Sequence, residues 1–364
     1  MNKRILWWTP SMGSKEYILV KKVLGSNYLN DGDITACFEK KLAKRLECRF
    51  ALSVTSGTIA LFAALKGLGI GRGDEVIVPD VTFIATANAV TLTGAKPVLV
   101  DVDCNNANIS VNSFVSALSK HTKAVIPVHV SGRAADLEGI RNIADKYGIY
   151  IVEDATEALM SKYKGKYLGT FGKAGAISFS PNKIITTGQG GAVLTDDKVL
   201  YRKLRMLKDQ GRPFRGTGGN DKHYVVGYNF KFTNLQAAVG LGQLELIIAR
   251  IKKMKEIYNL YRDSLRGVKG ITLFKFDVEK GELPLWIDAI AEKRDLLYEY
   301  LLKKGIQCRK FWHPLHKQNP YRQASKHFSI SSQLCKKALW LPSAFTLTKR
   351  DIQYVSGQIK EFYS

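Results

Sequence analysis

The chain is poor in cysteine and histidine, and the few that it has are not grouped. Its cysteines are dispersed, without any C-x-x-C pair: Cys37, Cys48, Cys104, Cys308 and Cys335. An odd number of scattered thiols argues against a disulfide framework and against a structural zinc site. Among the histidines only His313 and His316 are close together, and the residues beside them offer no acidic or thiol ligand. We therefore expect reduced cysteines and no bound metal.

The sequence also lacks long hydrophobic runs. A membrane-spanning helix needs about 20 predominantly apolar residues, and no stretch of the chain provides them. The segment Met1–Pro10 combines basic residues with a short apolar run, but that run is too short for a signal peptide. We expect a cytoplasmic protein without a membrane partner.

Acidic residues are scarce relative to basic ones. The chain has 32 Asp and Glu against 55 Lys and Arg, so its formal net charge is +23. A field of that sign attracts anionic ligands, and nucleic acid is one class of them. The basic residues are spread over amphipathic helical segments, such as residues 40–45 and 250–255, without a recognisable nucleic-acid-binding motif. This pattern favours solvated helix faces over a nucleic-acid partner.

The order of predicted elements indicates an α/β protein. From about Arg49 to Asp196, short apolar strands alternate with helical patterns, which is typical of a mostly parallel sheet sandwiched by helices. A long helix from about Asn234 to Leu265 then leads to further strands and helices. We predict two domains: an amino-terminal arm with a large domain over residues 1–240, and a connecting helix with a smaller α+β domain over residues 241–364.

One lysine and one aspartate lie where α/β proteins usually carry functional residues, near the carboxyl ends of strands. Lys183 lies between two apolar runs and is followed by a glycine cluster, while Asp154 ends the buried strand Tyr150–Asp154. A lysine amine forms a Schiff base with an aldehyde cofactor, and a carboxylate keeps a pyridine nitrogen protonated so that the ring withdraws electrons. Both residue types are needed together. They predict a site for pyridoxal 5'-phosphate.

The same cofactor needs a phosphate site, and the stretch Ser53–Leu61 provides one. It has the form of a strand end that turns into the amino terminus of an apolar helix. Gly57 lets the backbone approach the anion, and Ser56 or Thr58 adds a hydroxyl to the amide donors. The partial positive charge of the helix terminus also favours a phosphate.

Further motifs follow one another in the order typical of one family. They are Gly73–Pro79 with Thr82–Ala85, Pro97–Asp101, Glu153–Ala155, Asn182–Gly188, Gly227–Phe230 with Thr233–Asn234, and His313–His316. With them the chain resembles the sugar-nucleotide aminotransferases of the DegT/StrS-like group, which are fold-type I pyridoxal-phosphate enzymes. The similarity covers nearly the whole chain. It implies the fold-type I aminotransferase architecture.

The resemblance implies a role for each matching residue near the cofactor ring. Lys183 forms the Schiff base, Asp154 pairs with the pyridine nitrogen, Phe83 stacks on the ring, and Glu157 lies close to the cofactor. Taken singly, each residue has an ordinary explanation as a surface lysine, a helix cap or a core aromatic. The conjunction of these residues in family order outweighs those explanations.

The resemblance also implies which residues hold the phosphate and which face the substrate. Ser56, Gly57, Thr58 and Ser178 match the phosphate positions, and Asn229 matches a residue that reaches in from the second subunit of a homodimer. The positions near the sugar-nucleotide pocket are Asn30, Arg309 and His313. Departures from the family pattern occur at Pro181, at Leu159–Met160, and at Ser131 and Arg133, where we expect changes in the pocket wall.

The reaction implied is a transamination. L-Glutamate donates its amino group, and a nucleotide-linked 4-keto-6-deoxy sugar accepts it to become a 4-amino-4,6-dideoxy sugar. Amination at the 3-position is an alternative, as is an inactive scaffold or regulatory relative that has kept the fold. Related enzymes that dehydrate a deoxysugar carry a histidine in place of the lysine, so Lys183 argues against that activity. The likeness implies surface polysaccharide biosynthesis as the setting.

Overall fold

A seven-stranded sheet forms the centre of the protein, described by a computed structural model over residues 4–213 and 221–364. Its strands are β1 (Phe50–Val54), β2 (Glu75–Pro79), β3 (Lys96–Val100), β4 (Thr122–Val125), β5 (Tyr150–Asp154), β8 (Ala174–Ser178) and β9 (Gly191–Thr195), while β6 (Lys162–Tyr163) and β7 (Lys166–Tyr167) form a separate hairpin. The order across the sheet is β1-β9-β8-β5-β4-β2-β3. β9 runs antiparallel to both β1 and β8, whereas the other neighbouring pairs are parallel, so the sheet is mostly parallel, as expected.

Helices cover both faces of this sheet. They are α1 (Ser14–Gly25), α2 (Asp33–Arg45), α3 (Gly57–Gly67), α4 (Ala85–Leu92), α5 (Val111–Ser116), α6 (Leu137–Tyr147), α7 (Lys198–Lys208) and α8 (Asn234–Glu245). Successive strand residues point to opposite faces. In β2, Val76 and Val78 therefore pack with residues of α3 and α4, whereas Ile77 packs with Phe114 of α5 and Ile140 of α6. The sheet is buried on both sides.

The amino-terminal helices pack closely against α8. Gly240 in α8 lies against the ring of Phe38 in α2, and a Cβ at this position would come within 2.6 Å of a ring carbon. The absence of a side chain at Gly240 therefore allows the two helices to approach. Thr233 caps α8 by accepting a hydrogen bond from the Gln236 amide at 3.2 Å, and the Gln236 side chain accepts one from the Thr233 amide.

The prediction of a single helix over residues 234–265 is wrong in one respect: the segment forms two helices. A new helix, α9 (Ile247–Leu265), follows α8 after Leu246, whose amide bonds to the Gln243 carbonyl three residues earlier rather than four. Such a tightened turn ends α8. Gln243 is fully buried here and accepts a hydrogen bond from the Thr186 amide. The side chain of Gln243 thus ties the helix junction to the lysine segment.

The carboxyl-terminal part builds a second, smaller sheet. It contains β10 (Ile271–Leu273), β11 (Ile287–Ala291), β12 (Arg309–Lys310) and β13 (Ala338–Leu341), with helices α10 (Arg294–Lys303), α11 (Ser329–Lys337) and α12 (Lys349–Tyr363). The strands are antiparallel in the order β10-β11-β13-β12. The predicted domain boundary between residues 240 and 241 falls inside α8. It stays a prediction.

Two buried carboxylates join the carboxyl-terminal part to the large sheet. Asp80 follows β2 directly and accepts hydrogen bonds from the His316 amide (2.7 Å), from His316 Nδ1 (2.6 Å) and from Ser331 Oγ (2.6 Å). Asp101 follows β3 and accepts from the amides of Ile330 and Ser331 at the start of α11. A carboxylate at a helix amino terminus is favourable because it satisfies free amides there.

Candidate active site

The carboxyl ends of β5 and β8 open onto a cavity of about 340 Å³, and the start of α3 closes one end of it. Nine of the residues singled out from the sequence line this cavity: Ser56, Gly57, Thr58, Phe83, Asp154, Glu157, Ser178, Lys183 and Arg309. They come from five parts of the chain. The fold therefore brings the predicted cofactor residues to one place.

Lys183 is almost buried at the floor of the cavity, with its side chain 10% exposed. Its Nζ lies 3.5 Å from Glu157 Oε1 and 4.9 Å from the centre of the Trp286 ring. The segment that carries it is held from outside. Trp8 Nε1 donates to the carbonyl of Pro181 at 2.8 Å, and Trp286 Nε1 donates to the carbonyl of Asn182 at 3.3 Å. Pro181, a departure from the family pattern, thus faces the amino-terminal arm.

Asp154 ends β5 with its carboxylate at the cavity wall. Thr86 Oγ1 of α4 donates to Oδ2 at 2.8 Å, and the Thr156 amide donates to Oδ1 at 3.1 Å. Each oxygen therefore has one protein donor, and the carboxylate is fixed in orientation. The preceding residue, Glu153, faces away and accepts three backbone amides, from Gly169, Phe171 and Gly172. Of the two adjacent acids only Asp154 lines the cavity.

The start of α3 forms a cradle for an anion. Ser56 caps the helix through its hydroxyl, and the first helical backbone bond runs from the Ala60 amide to the Ser56 carbonyl. The amides of Gly57 and Thr58 precede that bond at the positive end of the helix. A Cβ at Gly57 would lie 3.1 Å from Ser178 Cβ and 3.4 Å from Ser178 Oγ. Glycine thus leaves space between the helix terminus and the serine hydroxyl.

Glu157 lies on the turn after β5, beside the lysine. Burial raises the pKa of the Glu157 carboxyl to about 7, and the nearby Lys183 opposes that rise. Its second oxygen, Oε2, accepts a hydrogen bond of 3.0 Å from the Ser131 amide. The predicted position of Glu157 close to the cofactor site agrees with this geometry.

Aromatic residues form part of the wall of the same cavity. All five tryptophans of the chain belong to one connected cluster of ring contacts: Trp7, Trp8, Trp286, Trp312 and Trp340. Two of them, Trp286 and Trp312, line the cavity. The guanidinium of Arg309 lies 5.0 Å from the Trp7 ring and 5.4 Å from the Trp340 ring, which fixes this cation at the cavity edge.

Three predicted site residues do not line the cavity of the single chain. Asn229 is exposed and pairs with Asp209 in an isolated β-bridge. His313 is exposed as well, and the side-chain oxygen of Asn30 accepts a hydrogen bond from the neighbouring Asp31 amide. Their roles in binding stay predictions. Phe83 lines the cavity with 54% of its surface exposed.

The expectation that Ser131 and Arg133 shape the pocket wall is wrong. Arg133 is 1% exposed, its Nη1 lies 2.6 Å from Asp288 Oδ2, and its guanidinium lies between the rings of Phe274 and Phe276. Ser131 bonds Asp288 through its hydroxyl. Both residues contact Asp288 of β11 in the buried region between the two sheets. The carboxylate of Asp288 balances the buried charge of Arg133.

Several cavity residues were not predicted from the sequence. Ser180 and Gln189 flank the lysine segment, and Thr86 supports Asp154. The closeness of Ser180 and Gln189 to the motif Asn182–Gly188 was an available signal for these two residues. No sequence signal linked the tryptophans, because they lie far apart in the chain and meet only in the fold.

The residues present fit pyridoxal phosphate: an amine and a fixed carboxylate face one cavity, and an anion cradle lies at its end. Among the described residues, no group of histidines, cysteines or carboxylates could hold a metal ion. Within the same residues, no helix is long and apolar enough to cross a membrane. The fold and the site define an aminotransferase of fold type I. The model of the DegT/DnrJ/EryC1/StrS aminotransferase family matches residues 10–360, and the chain belongs to this family.

Individual relatives agree with the family assignment. The chain is 37% identical over 367 residues to a GDP-perosamine synthase of Escherichia coli O157:H7, with 100% of this chain and 99% of the relative covered. It is 33% identical to a GDP-perosamine synthase of Caulobacter vibrioides, with 98% of each protein covered. These relatives confirm the predicted family and the predicted class of enzyme.

Solved structures confirm the predicted fold. The structure of DesV from S. venezuelae in complex with a ketimine intermediate superposes with a TM-score of 0.93 at 29% identity, covering 100% of this chain and 99% of that one. A family member from Brucella abortus gives a TM-score of 0.90 at 30% identity, with 96% of each chain covered. The family depends on pyridoxal phosphate, so the expected cofactor is confirmed together with the fold.

Proposed function

We propose that the protein transfers an amino group from L-glutamate to a nucleotide-linked 4-keto-6-deoxy sugar, giving a 4-amino-4,6-dideoxy sugar nucleotide. The observation that carries the proposal is the shared cavity of Lys183 and Asp154, with the amino terminus of α3 at its end. Two relatives that align over nearly their whole length are named GDP-perosamine synthases, which supports this class of sugar as the acceptor.

Each residue of the cavity has a task in this reaction. When bound, pyridoxal phosphate supplies an aldehyde and a ring that takes up electron density from the substrate carbon. Asp154, fixed by Thr86 and Thr156, stabilises the protonated state of the ring nitrogen with its negative charge. The amides of Gly57 and Thr58 and the hydroxyl of Ser178 bind the phosphate.

Lys183 holds the cofactor between reactions and moves protons during them. Its Nζ would hold the cofactor through the aldehyde that pyridoxal phosphate supplies. As a free amine, Lys183 would take a proton from the substrate α-carbon as a general base and give it up again as a general acid. The same amine runs these transfers in reverse for the keto sugar. The side chain of Lys183 is only 10% exposed, so few of its atoms contact bulk water.

The substrate side of the cavity suits a sugar diphosphate. Trp286 and Trp312 offer flat apolar faces, against which the carbon-bound hydrogens of a sugar ring can pack. Arg309 offers a planar cation that matches phosphate oxygens. The excess of basic residues supports the binding of such anions through long-range attraction.

A homodimer belongs to the proposal. Asn229 lies exposed and outside the cavity of its own chain, so it meets a cofactor only if it reaches the site of a second copy. Asn30 and His313 belong to the proposal as substrate residues. We place the reaction in the cytoplasm, where the sequence predicts the protein to be.

The proposal is tested with purified protein and a panel of keto-sugar nucleotides. Each is incubated with L-glutamate, and the product is identified by mass and nuclear magnetic resonance. We expect a 4-amino sugar nucleotide and 2-oxoglutarate, and no product with Lys183→Ala. A 3-amino product would show that the enzyme aminates the 3-position of the sugar ring and not the 4-position. A protein that stays colourless with pyridoxal phosphate would instead support an inactive relative.

A further inference from the structure

Ser131 is a buried residue whose polar groups all form hydrogen bonds. Its amide donates to Glu157 Oε2 at 3.0 Å, and its carbonyl accepts from the Leu285 amide at 2.9 Å. Its hydroxyl donates to Asp288 Oδ1 at 2.8 Å and accepts from Trp340 Nε1 at 3.3 Å. The bonds to Asp288 and Trp340 depend on the side-chain oxygen. The hydroxyl of Ser131 therefore joins two strands of the smaller sheet.

The backbone of Ser131 is fixed in a conformation that serine rarely adopts. Its φ of 53° lies in the left-handed region, which persists at such a residue only where the surroundings hold it. The next two residues supply those contacts. The carbonyl of Gly132 accepts a hydrogen bond from Ser161 Oγ at 2.5 Å, and Arg133 Nη1 lies 2.6 Å from Asp288 Oδ2. The Ser131 hydroxyl thus has a fixed position relative to the smaller sheet.

Asp288, Trp340 and Arg309 form a row across the smaller sheet. Asp288 of β11 is the register partner of Trp340 in β13, and Trp340 is the register partner of Arg309 in β12. Directly opposed residues of antiparallel strands point to the same face. The hydroxyl of Ser131 bonds the first two members of this row. The third member, Arg309, lines the cavity.

Arg309 is a cation that aromatic rings hold at the cavity edge. Its guanidinium lies 5.0 Å from the Trp7 ring and 5.4 Å from the Trp340 ring. Trp340 is fully buried, so its ring forms a firm support. A guanidinium at a cavity edge matches the oxygens of an anionic ligand. The position of the Trp340 ring therefore sets where this cation meets such a ligand.

We propose that Ser131 is a positioning residue for the diphosphate of the substrate: its hydroxyl fixes Trp340, and the Trp340 ring fixes Arg309. The inference rests on the proposed function in that a diphosphate-linked sugar is the ligand of Arg309. Ser131 departs from the family pattern, so this support belongs to this chain in particular. Loss of the bond to Trp340 lets the ring shift beneath Arg309, and we expect about fivefold weaker binding of a diphosphate.

The test is calorimetric titration of inorganic pyrophosphate into the protein loaded with pyridoxal phosphate. Pyrophosphate carries the diphosphate without a sugar or a base, and the cofactor occupies the phosphate cradle. We expect an increase of about fivefold in the dissociation constant for Ser131→Ala. Ser131→Gly removes the same hydroxyl and suits the left-handed backbone, so it serves if alanine is poorly tolerated. Arg309→Gln shows how much of the binding belongs to this cation.

Trp340→Phe tests the other end of the same bond. Phenylalanine keeps an aromatic ring next to Arg309 but has no indole donor. We expect a loss of affinity similar to that of Ser131→Ala, and the double variant should bind pyrophosphate no more weakly than the single variants. Additive losses would show that Ser131 does not act through Trp340.

Ser161→Ala is the matched control. Ser161 is fully buried, and its hydroxyl donates to the Gly132 carbonyl and accepts from the Leu283 amide. It therefore joins the same two segments of the chain as Ser131 does, but its bonds do not involve Trp340. We expect a lower unfolding midpoint and an unchanged dissociation constant for pyrophosphate. An equal loss of affinity in this variant would reduce the effect of Ser131 to general destabilisation and overturn the inference.

The proposed function is measured separately in the same samples, from the absorbance change of pyridoxal phosphate after addition of L-glutamate. A wild-type protein without that change would refute transamination from glutamate and leave the pyrophosphate comparison intact. Equal affinity of the wild type and both Ser131 variants would overturn the positioning role, whatever the absorbance shows. Equal affinity of the wild type and Arg309→Gln would overturn it as well, because Arg309 would then not bind the diphosphate.

Discussion

The indole nitrogen of Trp286 donates a hydrogen bond of 3.3 Å to the carbonyl of Asn182, the residue immediately before Lys183, which we propose as the reactive lysine. Trp286 directly precedes β11, so the smaller sheet holds the segment that carries Lys183. The Trp286 ring also lies 4.9 Å from Lys183 Nζ. One tryptophan therefore fixes both the backbone and the amine of the site from across the two sheets.

The Trp286 contact predicts a moderate loss of cofactor affinity in Trp286→Phe. The variant keeps an aromatic face but leaves the Asn182 carbonyl without its donor. Such a hydrogen bond contributes about 1 kcal/mol, which corresponds to an increase of about fivefold in the dissociation constant for pyridoxal phosphate. An absorbance titration of the cofactor-free protein measures it. Unchanged affinity would show that the bond does not position the lysine segment.

Thr86 offers a second prediction, because it orients Asp154. Thr86→Val preserves the shape of the side chain and removes the donor to Asp154 Oδ2. A hydrogen bond to a charged group contributes about 1.5 to 3 kcal/mol, so transamination is expected to slow by at least about tenfold. Steady-state kinetics measures the loss. Thr91→Val in the same helix is the control, since its hydroxyl bonds Ala87 and Tyr321 away from the site.

The sequence predicted several of the residues that line the cavity because those residues lie in local motifs. Asp154 ends a strand, Lys183 lies in a short segment between strands, and Gly57 begins a helix, so neighbouring residues alone indicated their places. The mostly parallel sheet was predictable for the same reason. Each strand is a short apolar run between helical patterns.

Features that depend on contacts between distant segments could not be predicted. The tryptophan cluster joins residues more than 300 positions apart, and Arg133 lies in a buried ion pair with Asp288 instead of in the pocket wall. The break at Leu246 is not visible in the sequence because helical periodicity continues through it. Gln243 is buried beside that break and accepts a hydrogen bond from the Thr186 amide, a contact that only the tertiary structure reveals.

The end of α2 predicts a stabilising substitution. Glu47 is exposed with a φ of 54°, and the Cys48 amide bonds the Ala43 carbonyl, as in a helix end that usually carries glycine. Glu47→Gly relieves this strain and is expected to raise the free energy of unfolding by about 1 kcal/mol. Chemical denaturation measures it. Glu47→Ala, which retains a Cβ, is the control and should show no comparable gain.

The junction of the two sheets predicts a large loss of stability in Asp80→Asn. The buried carboxylate accepts three hydrogen bonds, two from His316 and one from Ser331, and an amide group cannot accept all of them. The two buried donors that bond Oδ2, His316 Nδ1 and Ser331 Oγ, lose their acceptor at a cost of about 3 kcal/mol, so the midpoint of urea unfolding should fall. Asp103→Asn is the matched control because an asparagine can still accept the bond from the Asn105 amide. Equal stability of the two variants would show that Asp80 does not hold the carboxyl-terminal segment in place.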